Sequence, residues 1–238
     1  MTQHIVKAFD AELNQIKREL IEMGGIAERM ISDAMSALER HDIQLAEQVI
    51  ATDPKLDSLQ RSIEEEAILV IARRQPVASD LRAVVASIRI AGDIERVGDL
   101  AKSIAKRVRV IDGGVRLPRA VTGIIHMSRN AQAQIKSVLD SYANNDLKGA
   151  SAVWERDGEI DALYTSIFRE LLTYMMEDPR QITACAHLLF CAKNVERIGD
   201  HATNIAETVH FIITGSNLPA VRPRGGDETG APAVLKAG

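Results

Sequence analysis

The string Glu95-Arg96-Val97-Gly98-Asp99 returns 101 residues later as Glu196-Arg197-Ile198-Gly199-Asp200. A repeat of that length indicates a duplicated domain, because solenoid repeats are only about 20–50 residues long. Each copy carries two carboxylates four positions apart, so both lie on one face of a helix. The sequence therefore predicts two related helical halves with the same acidic face in each.

Apolar residues of the first half recur three or four positions apart, which predicts long helices. Gly24-Gly25 lies inside the first helix, where we expect a kink or a close contact between helices. Asp42 is a predicted N-cap for the second helix, and Asp53-Pro54 is typical of a helix that restarts after a kink. Asp112-Gly113-Gly114 is a stop signal after the third. The predicted helices span about residues 5–38, 42–74 and 79–110.

The second half repeats this plan. The match includes the second helix of each half, where Leu56-Asp57-Ser58-Leu59 aligns with Ile160-Asp161-Ala162-Leu163 at an offset of 104. Because the acidic string repeats at an offset of 101, the second half lacks about three residues between these two points. We predict that they are missing at the Asp178-Pro179 turn. The predicted helices span about residues 118–143, 147–177 and 179–215. The expected domains are residues 1–113 and 114–214, and residues 215–238, rich in Pro and Gly, are expected to be disordered.

Composition narrows the class of protein. Only 3% of residues are aromatic against 46% hydrophobic, which favours an aliphatic core of packed helices. The net charge of −4 argues against a nucleic-acid binder. We expect a cytoplasmic protein, because Met1–Asp10 is too polar for a signal peptide and no apolar run reaches membrane-spanning length. Cys185 and Cys191 are predicted to be buried, reduced thiols.

Each half carries four carboxylates on its second and third helices. Four like charges at close range repel unless they are protonated or bridged by cations. Oxygen ligands favour hard ions such as Mg²⁺, Mn²⁺ or iron, and Zn²⁺ less readily. A lone Glu-x-x-x-Asp is more often a solvated helix face or half of a salt bridge. The candidate metal ligands are, in the first acidic set, Asp53, Asp57, Glu95 and Asp99, and, in the second acidic set, Asp157, Asp161, Glu196 and Asp200.

The residues that follow the repeated string differ between the halves. Asn204 and Glu207 extend the polar face of the second copy, whereas Ser103 and Lys106 stand at those positions in the first. The second acidic set is therefore expected to be the more acidic. A Glu-x-x-His match ending at His210 is typical of di-iron sites, but those need two such elements. We interpret it as a chance match.

The two acidic repeats, the duplicated three-helix halves and the string Arg74-Gln75-Pro76-Val77-Ala78-Ser79-Asp80-Leu81-Arg82 resemble the PhoU family. The resemblance covers about residues 5–214. It implies an all-α fold of two pseudo-symmetric three-helix bundles, six long helices in all. It also implies metal clusters (Fe, Mn, Mg or Zn) bound by both acidic sets, with Asn204 and Glu207 as an additional polar face. Asp80 and Arg82 are a possible partner contact, since that string has no counterpart after Pro179.

The resemblance further implies a homodimer that is a negative regulator of phosphate uptake and of the phosphate-starvation response. It would contact the ATPase subunit of a phosphate ABC transporter and a membrane sensor histidine kinase. We therefore predict an adaptor and not an enzyme. Two alternatives stay open at this point. One is a metal-dependent helical enzyme, either a two-metal hydrolase or a di-iron protein. The other is a structural bundle without metal.

Overall fold

Residues 2–111 and 117–218 are described by the structure, a computed structural model, and they form helices and no strand. A 3₁₀ turn at Pro179–Gln181 precedes the last helix. The α-helices are α1 (Thr2–Arg40), α2 (Ile43–Arg74), α3 (Ala78–Val108), α4 (Pro118–Asn144), α5 (Leu147–Glu155), α6 (Asp157–Glu177) and α7 (Ile182–Thr214).

Local signals at the helix ends are largely confirmed. The Asp42 carboxylate accepts a hydrogen bond from the backbone N–H of Leu45 at 3.0 Å, which is the predicted N-cap of α2. α7 ends at Gly215 with φ 75°, a left-handed conformation that glycine adopts without steric cost. The predicted stop at Asp112-Gly113-Gly114 and residues 219–238 of the predicted tail lie outside the described residues.

α2 is one continuous helix through Pro54, which agrees with the predicted span of 42–74. The prediction for the corresponding helix of the second half is wrong. The predicted single helix 147–177 is instead divided at Arg156, whose φ of −93° and ψ of 5° end α5. The Arg156 carbonyl accepts two hydrogen bonds, one from the Gln134 side chain of α4 at 3.2 Å and one from the backbone N–H of Glu159 at 3.1 Å.

The helices form the two predicted three-helix bundles. α1, α2 and α3 pack on one another, and α4, α7 and the α5–α6 pair do the same. The halves meet where α3 packs on α7 and α1 on α4. A Cβ atom on Gly24 would lie 2.4 Å from Leu139 Cδ1, so the predicted close helix contact is confirmed and lies between the halves. Both helices of the α3–α7 contact carry the repeated acidic string.

Candidate functional site

Each acidic set lies where two neighbouring helices of one bundle face each other. The pairs Asp53–Asp57 (α2) and Glu95–Asp99 (α3) form the first acidic set, and Asp157–Asp161 (α6) and Glu196–Asp200 (α7) form the second. Asp53 is buried and Asp161 is exposed, while the other members are partly buried. The duplication therefore extends from the sequence to the placement of both sets.

A glycine in each repeated string sets the spacing between the two helices. A Cβ atom on Gly98 would lie 2.2 Å from Cδ1 of Leu56, which stands between the two carboxylates of α2. In the second half a Cβ atom on Gly199 would lie 2.7 Å from Cδ1 of Ile160, the equivalent residue. A side chain at either glycine would force the facing Leu56 or Ile160 side chain to move. The two halves thus share the same close contact beside their acidic sets.

The carboxylates of the first acidic set are close enough to affect one another electrostatically. Burial raises the pKa of Glu95, and the negative charges of Asp99, Asp57 and Asp53 raise it further. Arg96 opposes this through an ion pair with Glu95, at 3.6 Å between Nε and Oε2. The net effect is a raised pKa of Glu95, so the charged form of this carboxylate is less stable here than in water.

The second acidic set shows the same effect more strongly. Burial and the nearby charges of Glu196, Asp157 and Asp161 raise the pKa of Asp200 to about 6. Lys193 opposes the shift, and its Nζ lies 2.6 Å from Glu196 Oε1. A carboxyl with such a pKa binds a proton readily, and it would release that proton to bind a metal cation.

The two sets differ at one pair of equivalent positions. Lys102 bonds the buried Asp53 through its ammonium group and lies 3.3 Å from Asp99 Oδ1, so the first acidic set contains a cation of the chain itself. The equivalent residue in the second half is Thr203, whose hydroxyl donates to Asp157 Oδ1 at 2.7 Å. A neutral hydroxyl thus stands in the second half where the first half has an ammonium group.

The donor chemistry of the second acidic set fits a hard metal ion better than that of the first. Glu196 Oε2 is buried and has no hydrogen-bond partner among the described residues, so it presents a carboxylate oxygen in need of a positive partner. No three His, Cys, Asp or Glu residues in the described ranges are arranged so that they could hold a metal ion. Metal binding would therefore require these side chains to change rotamer.

Asn204 and Glu207 line a cavity of about 540 Å³ between α3 and α7. At this cavity the Asp93 carboxylate of α3 pairs with His201 of α7 at 2.9 Å, and Asn204 donates to it at 3.4 Å. Glu207 accepts a hydrogen bond from the Trp154 indole at 3.3 Å. The additional polar face thus lies between the two halves, where it bonds the first bundle and α5.

Asp80 and Arg82 have different surroundings. Asp80 is exposed in the first turn of α3. Arg82 is partly buried, and a Cβ atom on Gly215 would lie 3.3 Å from its Cζ, so its guanidinium lies against the end of α7. A cation at a helix C-terminus is favoured by the helix dipole. Arg82 therefore has a structural contact within the chain, and only Asp80 is open to a partner.

The thiols are buried and free, as predicted. Burial raises the pKa of Cys191 to about 12, which leaves almost no reactive thiolate at neutral pH. The Glu-x-x-His element is bonded to other groups of its own half. His210 Nδ1 lies 3.0 Å from the Ser216 carbonyl oxygen, and Glu207 is bonded to Trp154.

These features define a class of protein, an all-α chain of two tandem three-helix bundles with a duplicated acidic face. None of the helices in the described residues is long and apolar enough to span a bilayer. A sequence model of the PhoU domain matches the chain twice, over residues 20–108 and 124–209. The chain belongs to the PhoU family.

Relatives and solved structures agree with this assignment. The phosphate-specific transport system accessory protein PhoU homolog of Rhizobium meliloti (strain 1021) is 55% identical over 221 residues, 93% of each chain. The crystal structure of PhoU from Pseudomonas aeruginosa has a TM-score of 0.84 and 38% identity, and covers 87% of this chain and 100% of that one. The phosphate transport system regulatory protein PhoU from Streptococcus pneumoniae has a TM-score of 0.82 and 25% identity, with 89% and 99% covered. Family members bear the names of accessory and regulatory proteins, not enzymes, which agrees with our prediction.

Sequence reasoning placed the eight carboxylates but missed Lys102 and Thr203, which bond two of them, and Asn194, which lines a cavity together with Asp99. The signal was available. Alignment of the halves at an offset of 101 residues places Lys102 opposite Thr203 and Asn194 opposite Asp93. Such a comparison shows where two copies of a site have changed charge, and it needs no structure.

Proposed function

We propose that this protein is an accessory regulator of a phosphate-specific transport system, and that it lowers phosphate uptake and the phosphate-starvation response when phosphate is plentiful. The observation that carries the proposal is the likeness to the R. meliloti relative, which is named as an accessory protein of that system and is 55% identical over 93% of both chains. The S. pneumoniae neighbour is named as a regulatory protein of phosphate transport.

The proposed partners are the ATPase subunit of the phosphate ABC transporter and a membrane sensor histidine kinase, with a second copy of the chain in a homodimer. Long helices supply the surface for such contacts. On α6 the partly exposed side chains of Phe168, Leu172 and Met176 stand four positions apart and form one apolar stripe, and Met176 is 77% exposed. Stripes of this kind are common in protein–protein interfaces.

A pull-down from phosphate-replete cells tests the partners. Wild type is compared with a variant in which Glu95, Asp99, Glu196 and Asp200 are changed to Ala. We expect the transporter ATPase and a histidine kinase to be recovered with wild type, and less of both with the variant. Equal recovery would show that the acidic sets are not part of the contact. Recovery of neither partner would contradict the adaptor proposal.

The second acidic set is the proposed principal metal site, with Asp157, Asp161, Glu196 and Asp200 as oxygen ligands. The support is the buried Glu196 Oε2, which has no hydrogen-bond partner among the described residues, together with the burial and the mutual repulsion that raise the pKa of Asp200. A bound cation would remove that repulsion and link the acidic face to a partner's carboxylates. The donor set suits Fe, Mn or Mg, and Zn less well.

Metal analysis of protein purified without chelators tests this site. The double variant Glu196→Gln/Asp200→Asn keeps the shapes of both side chains and removes two charges. Its matched control is Glu65→Gln/Glu177→Gln, which removes two charges from exposed positions. We expect wild type and control to carry the same metal content and the test variant to lose most of it. Equal metal in all three would contradict the assignment.

A further inference from the structure

A second cavity of about 310 Å³ lies between α3 and α7, and Asp99 of the first acidic set is among its lining residues. Its cationic lining residues are Arg96, Lys102, Lys106 and Arg197, and Asp99 is the only carboxylate among the lining residues. Lys102 is bonded to Asp53 and Asp99, so its charge is already compensated. Three cations therefore give this cavity a net positive charge.

Two of these cations have no partner of their own. Lys106 and Arg197 are exposed and form no hydrogen bond or ion pair with another residue in the described part of the chain. Arg96 is 65% exposed and reaches Glu95 only at 3.6 Å, a weak surface pair. All three are thus available to an anion that enters from solvent.

Asn194 supplies an independent sign of a ligand. It lines the cavity, it is only 9% exposed, and its Nδ2 is buried without a hydrogen-bond partner in residues 2–111 and 117–218. A buried amide donor without an acceptor has lost its hydrogen bonds to water and destabilises the folded chain. An acceptor oxygen bound in the cavity would remove that destabilisation, and Ser103 offers a hydroxyl beside it.

Comparison with the duplicated position shows that the charge of this cavity is reversed. Asn194 corresponds to Asp93, which lines the larger cavity and is bonded there by His201 and Asn204. Lys106 likewise corresponds to Glu207. Two acids of the larger cavity are thus replaced by an amide donor and an ammonium group in the smaller one.

We propose that the smaller cavity binds an oxyanion of the phosphate class. Arg96, Arg197 and Lys106 would supply charge-assisted hydrogen bonds, and Asn194 and Ser103 neutral ones, around a tetrahedral group with several acceptor oxygens. The ligand is either inorganic phosphate or the phosphoryl group of a small phosphomonoester. The site goes beyond the proposed function, because it depends on no partner and on no bound metal.

Equilibrium dialysis of the purified full chain against radiolabelled inorganic phosphate, at about 0.15 M chloride to screen nonspecific attraction, tests the proposal. We expect saturable binding of one phosphate per chain. Asn194→Asp keeps the size of the side chain and places a carboxylate against the anion, so we expect binding to weaken at least about tenfold. Lys106→Gln changes an exposed side chain and should not disturb folding, and we expect it to weaken phosphate binding several-fold. Lys148→Gln, an exposed charge on α5, should leave it unchanged.

Competition with glycerol phosphate separates the two sources of the ligand. Displacement at concentrations well below those needed with unlabelled phosphate would identify a phosphomonoester, and the reverse would identify inorganic phosphate. Absence of saturable binding of both compounds would overturn the proposal. So would phosphate binding that Lys106→Gln and Asn194→Asp leave unchanged, since the anion would then bind elsewhere. Because the assay uses purified protein, its failure is distinct from a failure to regulate uptake in cells.

Discussion

At the scale of single residues, Gly98 and Gly199 show how a missing methyl group sets the distance between helices. Gly98→Ala should lower the free energy of unfolding by about 1–3 kcal/mol, because the added Cβ would lie 2.2 Å from Leu56 Cδ1 in a packed core. The matched control is Gly92→Ala in the same helix, where nothing lies within 4 Å of the added Cβ.

The control should be stabilised by about 0.5–1 kcal/mol, since alanine favours a helix interior over glycine. Urea denaturation of wild type and both variants measures the difference. A Gly98→Ala variant as stable as the Gly92→Ala variant would show that α2 and α3 do not depend on this close approach.

Asp200 predicts a pH dependence of stability. Its folded pKa of about 6 lies above its ordinary value of 3.8, so between those pH values the folded protein keeps a proton that the unfolded chain releases. The free energy of unfolding therefore falls as pH rises through this range and stays lower above it. In chelator-treated protein, Asp200→Asn should stabilise by about 1 kcal/mol at pH 7.5, after allowance for solvent screening.

This gain should disappear near pH 4, where the wild-type carboxyl is protonated in the folded state. Thermal melts at both pH values measure it, with the exposed Asp33→Asn as the control. An equal gain at both pH values would mean that repulsion among the carboxylates is not its cause.

The repeat predicted where the carboxylates lie, because a spacing of four places both members of a pair on one helix face. It did not predict which carboxylates are neutralised. Lys102 reaches Asp53 across 49 residues of sequence, a contact that no local pattern contains. The sequence alone indicated only part of the difference in charge between the two acidic sets, from Ser103 and Lys106 in place of Asn204 and Glu207.

At the scale of helices, the two halves show the limits of local break signals. Pro54 lacks an N–H and costs a helix interior about 3 kcal/mol, yet α2 continues through it because the helix packs on both α1 and α3. The break at Arg156 has no proline. Gln134 of a different helix bonds the Arg156 carbonyl, a tertiary contact that the continuous sequence pattern around the break does not reveal.

Lys102 of α3 bonds Asp53 of α2, and its replacement should lower the free energy of unfolding. Lys102→Met leaves Asp53, which is 4% exposed, without its cation, and we expect a loss of about 2 kcal/mol at pH 7. Its bonds to Asp53 and Asp99 raise the pKa of Lys102, so the stabilisation is present at pH 7 and is lost only as pH rises above the ordinary lysine range.

Urea denaturation at pH 7 measures this loss, with Lys148→Met as the control for removal of a charge. A Lys102→Met variant as stable as that control would contradict the role of Lys102 as the cation of the first acidic set. Higher metal content in the variant than in wild type would be a further result consistent with that role.

At the scale of the whole molecule, duplication followed by divergence gives the chain two similar halves with different chemistry. In the first acidic set an ammonium group bonds the buried Asp53, and in the second a threonine hydroxyl bonds the equivalent Asp157 while Lys193 pairs with Glu196. Where α3 packs on α7, one cavity has Asp93 and the other has Asn194 at the same position of the repeat. Such a regulator would bind a cation at the second acidic set and an anion in the smaller cavity.

The central claim is that this protein restrains phosphate uptake when phosphate is plentiful. The most direct test is the initial rate of radiolabelled phosphate uptake in cells grown with excess phosphate, with the gene intact, deleted, or deleted and restored. We expect deletion to raise uptake and to switch on starvation genes, and the restored copy to reverse both. Uptake and starvation-gene expression that stay at the parental level after deletion would contradict it.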